Sequence, residues 1–178
     1  MKAFLDSSEL LHDSGAMKDR FDRDGYVYLS GLVDTELLLN LRRQIVAICD
    51  DCGWLKSGVD PMTATTWTVP KVEGEDEYFE VYDRIQRLQD FHALAHDPAV
   101  MTLMRALLGD TAFPHPLSIA RLVFPESKDW STPPHQDYVN NQGTQDLYAC
   151  WMPLSDCPTD MGSLAMLEGS HKLGLLPL

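Results

Sequence analysis

The chain has 178 residues, 44% hydrophobic and 23% charged, the balance of a globular domain large enough to bury a core. Lys and Arg number 14 against 27 Asp and Glu, a net charge of −13 that repels phosphate backbones and anionic lipid, so no nucleic-acid and no membrane partner is expected. No run reaches the roughly 18 apolar residues of a membrane span, and no long apolar core follows Lys2, so a cytoplasmic protein without a secretory signal is expected.

In chain order, residues 1–20 are polar and mixed, anchored by Leu5, Leu10 and Leu11, and read as a short helix or loose arm. Met17 to Asp24 continues as a helical turn that Gly25 can end in the left-handed conformation. Tyr26-Val27-Tyr28-Leu29 is rich in β-formers and predicts a short strand broken by Gly31. Asp34 or Thr35 caps the next helix, and Leu37, Leu38, Leu41, Ile45 and Ile48 recur at helical spacing up to Gly53. Cys49 and Cys52 have the spacing of half a zinc site, but no second Cys or His pair answers them. With Cys150 and Cys157 they read as free thiols in a reducing compartment.

Residues 54–75 are rich in Gly, Pro and Thr and read as a long loop with one short strand at Thr65 to Val69. Loops of this length inside a domain are either plain surface or functional segments such as lids. From Asp76 to Ala95, Phe79, Tyr82, Ile85, Leu88 and Phe91 predict a second amphipathic helix. Asp97-Pro98 opens a third, with Val100, Leu103, Met104, Leu107 and Leu108 on its apolar face and Gly109 at its end. His92 and His96 stand one helical turn apart without the Glu of a zincin pattern, which favours helix-end histidines over a metal pair.

After Gly109 the pattern changes to short β-rich runs: Ala112-Phe113, Leu117 to Phe124, Tyr138-Val139, Asp146 to Trp151 and Ser163 to Leu167. Turn residues separate them, as in an all-β sandwich or barrel. Among these runs sits Thr132-Pro133-Pro134-His135-Gln136-Asp137-Tyr138. In extended backbone alternate side chains share a face, so His135 and Asp137 point the same way and Gln136 points to the other. An imidazole and a carboxylate converging on one point are two thirds of the face that holds non-haem Fe(II). The same triplet also suits a surface turn with an Asx-type cap.

Three stretches together resemble the phytanoyl-CoA dioxygenase family of Fe(II)- and 2-oxoglutarate-dependent oxygenases. They are Phe21-Asp22-Arg23-Asp24-Gly25-Tyr26-Val27, then Pro133-Pro134-His135-Gln136-Asp137, and then Ala149 to Leu154 with Met161-Gly162-Ser163-Leu164 and Glu168-Gly169-Ser170-His171-Lys172. Their order is more specific than any one of them. The resemblance implies an α+β fold, a helical layer packed on a double-stranded β-helix or jelly roll, with residues 1–110 helical and 111–178 the first half of the jelly-roll core in a single domain. It implies His135 and Asp137 as metal ligands, Trp151 lining the 2-oxoglutarate pocket unless it is a core aromatic, and Fe(II), 2-oxoglutarate and O2 as cofactors. The loop 54–75 is implied near the mouth of the site, and Leu117 to Phe124 beside the cofactor. The implied activity is hydroxylation of a small organic substrate, and the carboxylate of Asp137 is unlike the small residue of related halogenases.

Members of this family complete the iron site with a later His and an Arg that grips 2-oxoglutarate, and neither follows here. His171 is the alternative third ligand within the chain, but it falls in the family's structural turn and is followed by Lys172, a poorer partner for a carboxylate than Arg. A jelly roll with so few strands leaves half its core uncovered. The expectation is therefore a C-terminally truncated chain, a homodimer whose second copy covers the open face, or marginal stability. A non-catalytic binding or assembly protein on the same scaffold is the competing reading.

Overall fold

The computed structural model describes residues 2–63, 70–71, 73–124 and 132–176; the strand expected at 65–69 falls outside them. Helix α1 (Ser14–Asp24) opens where the Asp13 carboxylate accepts from the Ala16 amide and closes on Gly25 at φ 82°. Helix α2 (Thr35–Asp51) opens on Asp34, whose side chain accepts from the Glu36 amide. The predicted helix from 76 to 95 is two pieces, α3 (Asp76–Ile85) and α4 (Gln89–Ala93), the second running into a 3-10 turn, Leu94–His96. At the break, His92 Nε2 meets the Gln86 carbonyl at 2.8 Å, so His92 secures a chain turn and is not paired with His96 on a metal. Helix α5 (Pro98–Leu108) opens on Asp97, which accepts from the amides of Ala99 and Val100, with Pro98 in the first turn. No helix among the described residues is long and apolar enough to cross a membrane.

Two cores form. The larger packs Leu41, Ile45, Ile48 and Cys49 of α2 against Tyr78, Val81 and Ile85 of α3, with Trp54, Leu55, Ala120 and Phe124 closing over them. Trp54 sits with its ring 5.3 Å from Phe124 and 6.3 Å from Tyr78. Burial pushes the Cys49 thiol up to about 11, which leaves it inert, and all four cysteines are free. The smaller core joins Met17 of α1 to Leu103 and Leu107 of α5, with Phe21 stacked on Tyr148 at 4.5 Å. The buried stripe of α3 is 78, 81 and 85, at helical spacing, and Phe79, expected inside from the longer helix, is 46% exposed.

The jelly roll expected over 111–178 does not form among the described residues. Among the described residues no strand forms, and extended pairing is confined to isolated bridges such as the parallel one between Asp6 and Tyr28, which replaces the strand expected at 26–29. Residues 138–139, also expected in a strand, lie in the short helix α6 (Asp137–Asn140). Burial alternates along 117–124: Ala120 and Phe124 are buried on the helical layer, while Ile119 and Val123 on the opposite face are 53% and 57% exposed. Side-chain pattern sets an extended backbone, but a sheet also needs a hydrogen-bonded neighbour in register. These runs rest on helices instead. The architecture described is a helical layer carrying extended segments and 3-10 turns, a correction to the α+β jelly-roll expectation.

The turn Ser170–Leu173 ties the far end of the chain to α1. The Gly169 amide donates to the Asp24 carbonyl at 2.7 Å, Lys172 Nζ to the Arg23 carbonyl at 2.7 Å, and His171 Nε2 meets the Asp22 carbonyl at 2.9 Å. These are C-terminal carbonyls that a helix leaves without partners. Gly25 is required here twice over: its φ is left-handed, and a Cβ would lie 2.3 Å from His171 Nδ1.

Ile85→Ala is expected to cost about 2–5 kcal/mol, and Phe79→Ala less than about 1 kcal/mol. Urea denaturation of the two variants measures both, and equal losses would contradict the face assignment. Gly25→Ala is expected to lower stability by at least about 1 kcal/mol and to speed amide exchange at Gly169. Wild-type protection of that amide in the variant would refute the anchoring.

Candidate metal centre

The loop before the pair is set by its prolines. Pro133 and Pro134 each push the residue before them, Thr132 and Pro133, out of the helical region, and the chain bends at Pro134 just before His135. Gln136 is extended, at φ −114° and ψ 125°, and α6 begins at Asp137. One extended residue between them is enough to turn His135 and Asp137 to the same side, as expected of a strand, with Gln136 facing away.

The two side chains meet. His135 Nε2 lies 3.1 Å from Asp137 Oδ1, and His135 Nδ1 lies 2.9 Å from the Pro133 carbonyl oxygen. Their side chains are 38% and 45% exposed, so the point on which they converge is open to solvent. A neutral imidazole has one N–H and one lone pair. Both of its neighbours here are acceptors, so a neutral ring leaves one acceptor facing another. A proton on both nitrogens resolves the conflict, and so does a cation shared by Nε2 and the carboxylate while Nδ1–H donates to Pro133. That second arrangement is the usual one for a metal-bound histidine, whose other nitrogen is fixed by a backbone carbonyl. The 3.1 Å separation also fits two donors about 2.1 Å from one ion at roughly a right angle. The donor set therefore fits a divalent metal.

Among the described residues no group of three or more His, Cys, Asp and Glu side chains converges on a point, so the pair has no third partner there. His171, the alternative third ligand, is spent on the Asp22 carbonyl. Trp151 is 46% exposed and does not serve as a core aromatic. The role of Gln136 was not legible in the sequence. Its side chain bonds residues 174 and 176, and nothing in a lone Gln between a His and an Asp signals that.

The family described as Phytanoyl-CoA dioxygenase (PhyH) matches residues 21–177. The chain is 27% identical over 176 residues to a 1-deoxypentalenic acid 11-beta-hydroxylase of Streptomyces arenae, and 28% identical over 178 residues to a protein of the same name from Streptomyces exfoliatus. Each comparison covers 96% of this chain and 59% of the relative, so the chain spans less than two thirds of the length of these relatives. No solved structure matches it significantly. With the match running from the end of α1 through the His135–Asp137 pair to the anchoring turn, the chain belongs to the phytanoyl-CoA dioxygenase family.

Proposed function

We propose that this chain carries the ligand pair of an Fe(II)- and 2-oxoglutarate-dependent oxygenase that hydroxylates a small organic molecule. One observation carries the reading: His135 Nε2 and Asp137 Oδ1 face each other at 3.1 Å while His135 Nδ1 is already engaged by Pro133. Imidazole and carboxylate hold Fe(II) while leaving positions for a bidentate 2-oxo acid and for O2. The iron, when bound, supplies O2 activation coupled to decarboxylation of 2-oxoglutarate. The chain's own residues do the positioning. The Pro133 carbonyl fixes the imidazole ring, Asp137 brings the negative charge that offsets the ion, and the half-exposed Trp151 offers an aromatic wall to 2-oxoglutarate. Family membership supports an oxygenase, and the relatives' name supports a hydroxylase acting on a small organic acid. A net charge of −13 disfavours the phosphates of an acyl-CoA.

A second reading, a non-catalytic binding or assembly protein, is favoured by one observation: the described residues contain no third ligand. Calorimetric titration with Mn(II) is expected to show binding that weakens more than about 100-fold in both His135→Ala and Asp137→Ala, beyond the typical effect of an outer-shell residue. Unchanged affinity in both variants would sink the assignment. Succinate release from 2-oxoglutarate, with Fe(II) and ascorbate present, separates the two readings. Turnover favours the oxygenase; bound Mn(II) without succinate favours the binding protein.

A further inference from the structure

We propose that Gln136 is the positioning residue of the metal pair, acting through a two-bond clamp on residues 174–176. This rests on the metal reading and deepens it. The extended backbone at Gln136 sends its side chain away from His135 and Asp137. There its Nε2 donates to the Gly174 carbonyl at 2.9 Å and its Oε1 accepts from the Leu176 amide at 2.8 Å. Both ends of one primary amide are thus used on one stretch of backbone, as a neighbouring strand would use a peptide group. Two bonds fix the rotation of the amide as well as its place, which one bond cannot do.

The consequence reaches the pair through the backbone. Whether His135 and Asp137 share a side depends on the φ and ψ of the residue between them. The pair itself is partly exposed and gains little from packing. Among the described residues, the two Gln136 bonds are the hydrogen bonds that reach this triplet from beyond residue 141. The clamped stretch is itself held: the Gly174 amide donates to the His171 carbonyl at 3.1 Å, and His171 and Lys172 are fixed on the end of α1. The separation of the two ligands is therefore referred, bond by bond, to a helix at the other end of the chain.

The test is titration of the chain with Co(II), followed by its visible absorption, with amide exchange at Leu176 as the second readout. Gln136→Met keeps the side chain's length and removes both hydrogen bonds. It is expected to speed exchange at Leu176, to raise the Co(II) dissociation constant about 10- to 100-fold and to change the shape of the Co(II) band. Leu176→Pro removes the N–H without touching the triplet. It is expected to weaken Co(II) binding in the same direction and to add little on top of Gln136→Met. His135→Ala controls the underlying reading: Co(II) binding should be lost with Leu176 still protected. Wild-type Co(II) affinity in Gln136→Met, with Leu176 deprotected, would overturn the clamp and leave the metal pair standing. Wild-type affinity in His135→Ala would overturn both. Should Gln136→Met fail to fold, Leu176→Pro decides: unchanged Co(II) affinity overturns the proposal.

Discussion

The carbonyl oxygens at the C-terminal end of α1 need donors, and they take them from residues 149 positions away in His171 and Lys172. A helix end concentrates partial negative charge, so a lysine ammonium and an imidazole N–H are favoured there on electrostatic grounds as well as for the hydrogen bonds. The missing Cβ of Gly25 is what lets the imidazole come close enough. Residues 174–176 and, through them, the His135–Asp137 pair depend on this contact. The turn at 170–173 leads into residues 174–176, those residues hold Gln136, and Gln136 stands between His135 and Asp137. Phe21 stacked on Tyr148 ties α1 to the C-terminal half a second time, by apolar contact.

The extended segments of that half show what happens when pattern outruns pairing. The run over 117–124 carries apolar residues on both faces, Leu117, Ile119 and Val123 on one and Ala120, Leu122 and Phe124 on the other, as a strand buried on two sides would. One face is buried, with Phe124 against Trp54. The other meets solvent, and Leu167, Leu173 and Leu175 are 75%, 65% and 62% exposed. What holds these segments is contact with the helical layer and single side-chain bonds. Gln86 Nε2 donates to the Ser118 carbonyl at 2.9 Å, and Arg42 reaches the Met62 carbonyl at 2.7 Å and the Leu154 carbonyl at 3.5 Å.

Two carboxylates in this acidic chain make an instructive pair. Asp24 is 6% exposed, yet Arg23 meets it with two bonds of 2.7 Å, and that guanidinium holds its carboxyl below the usual carboxylate range. Its cation is built in, and nothing further is asked of it. Asp137 faces a ring whose other nitrogen already has a carbonyl acceptor, so the cation that would balance it is not a fixed part of the chain. The first arrangement closes a helix end, and the second suits a ligand site.

The sequence by itself determined what is local. Asp13, Asp34 and Asp97 cap because a short carboxylate reaches amides two or three residues on, and Pro98 and Gly25 act through their own φ preferences. The turning of His135 and Asp137 to one side needs only one extended residue, which the alternation of side chains in extended backbone made legible. The end of α3 at Ile85 was not legible: the chain turns there, with His92 on the Gln86 carbonyl, and the buried stripe is Tyr78, Val81 and Ile85, not one through Phe79. The jelly roll also failed as an expectation. Runs of β-forming residues favour an extended chain, but pairing requires a partner at a set register, and the described residues offer helices instead. Tertiary structure alone decided that His171 caps a helix and that Gln136 clamps residues 174–176, because both depend on polar groups that stand 149 and 38–40 positions apart in sequence.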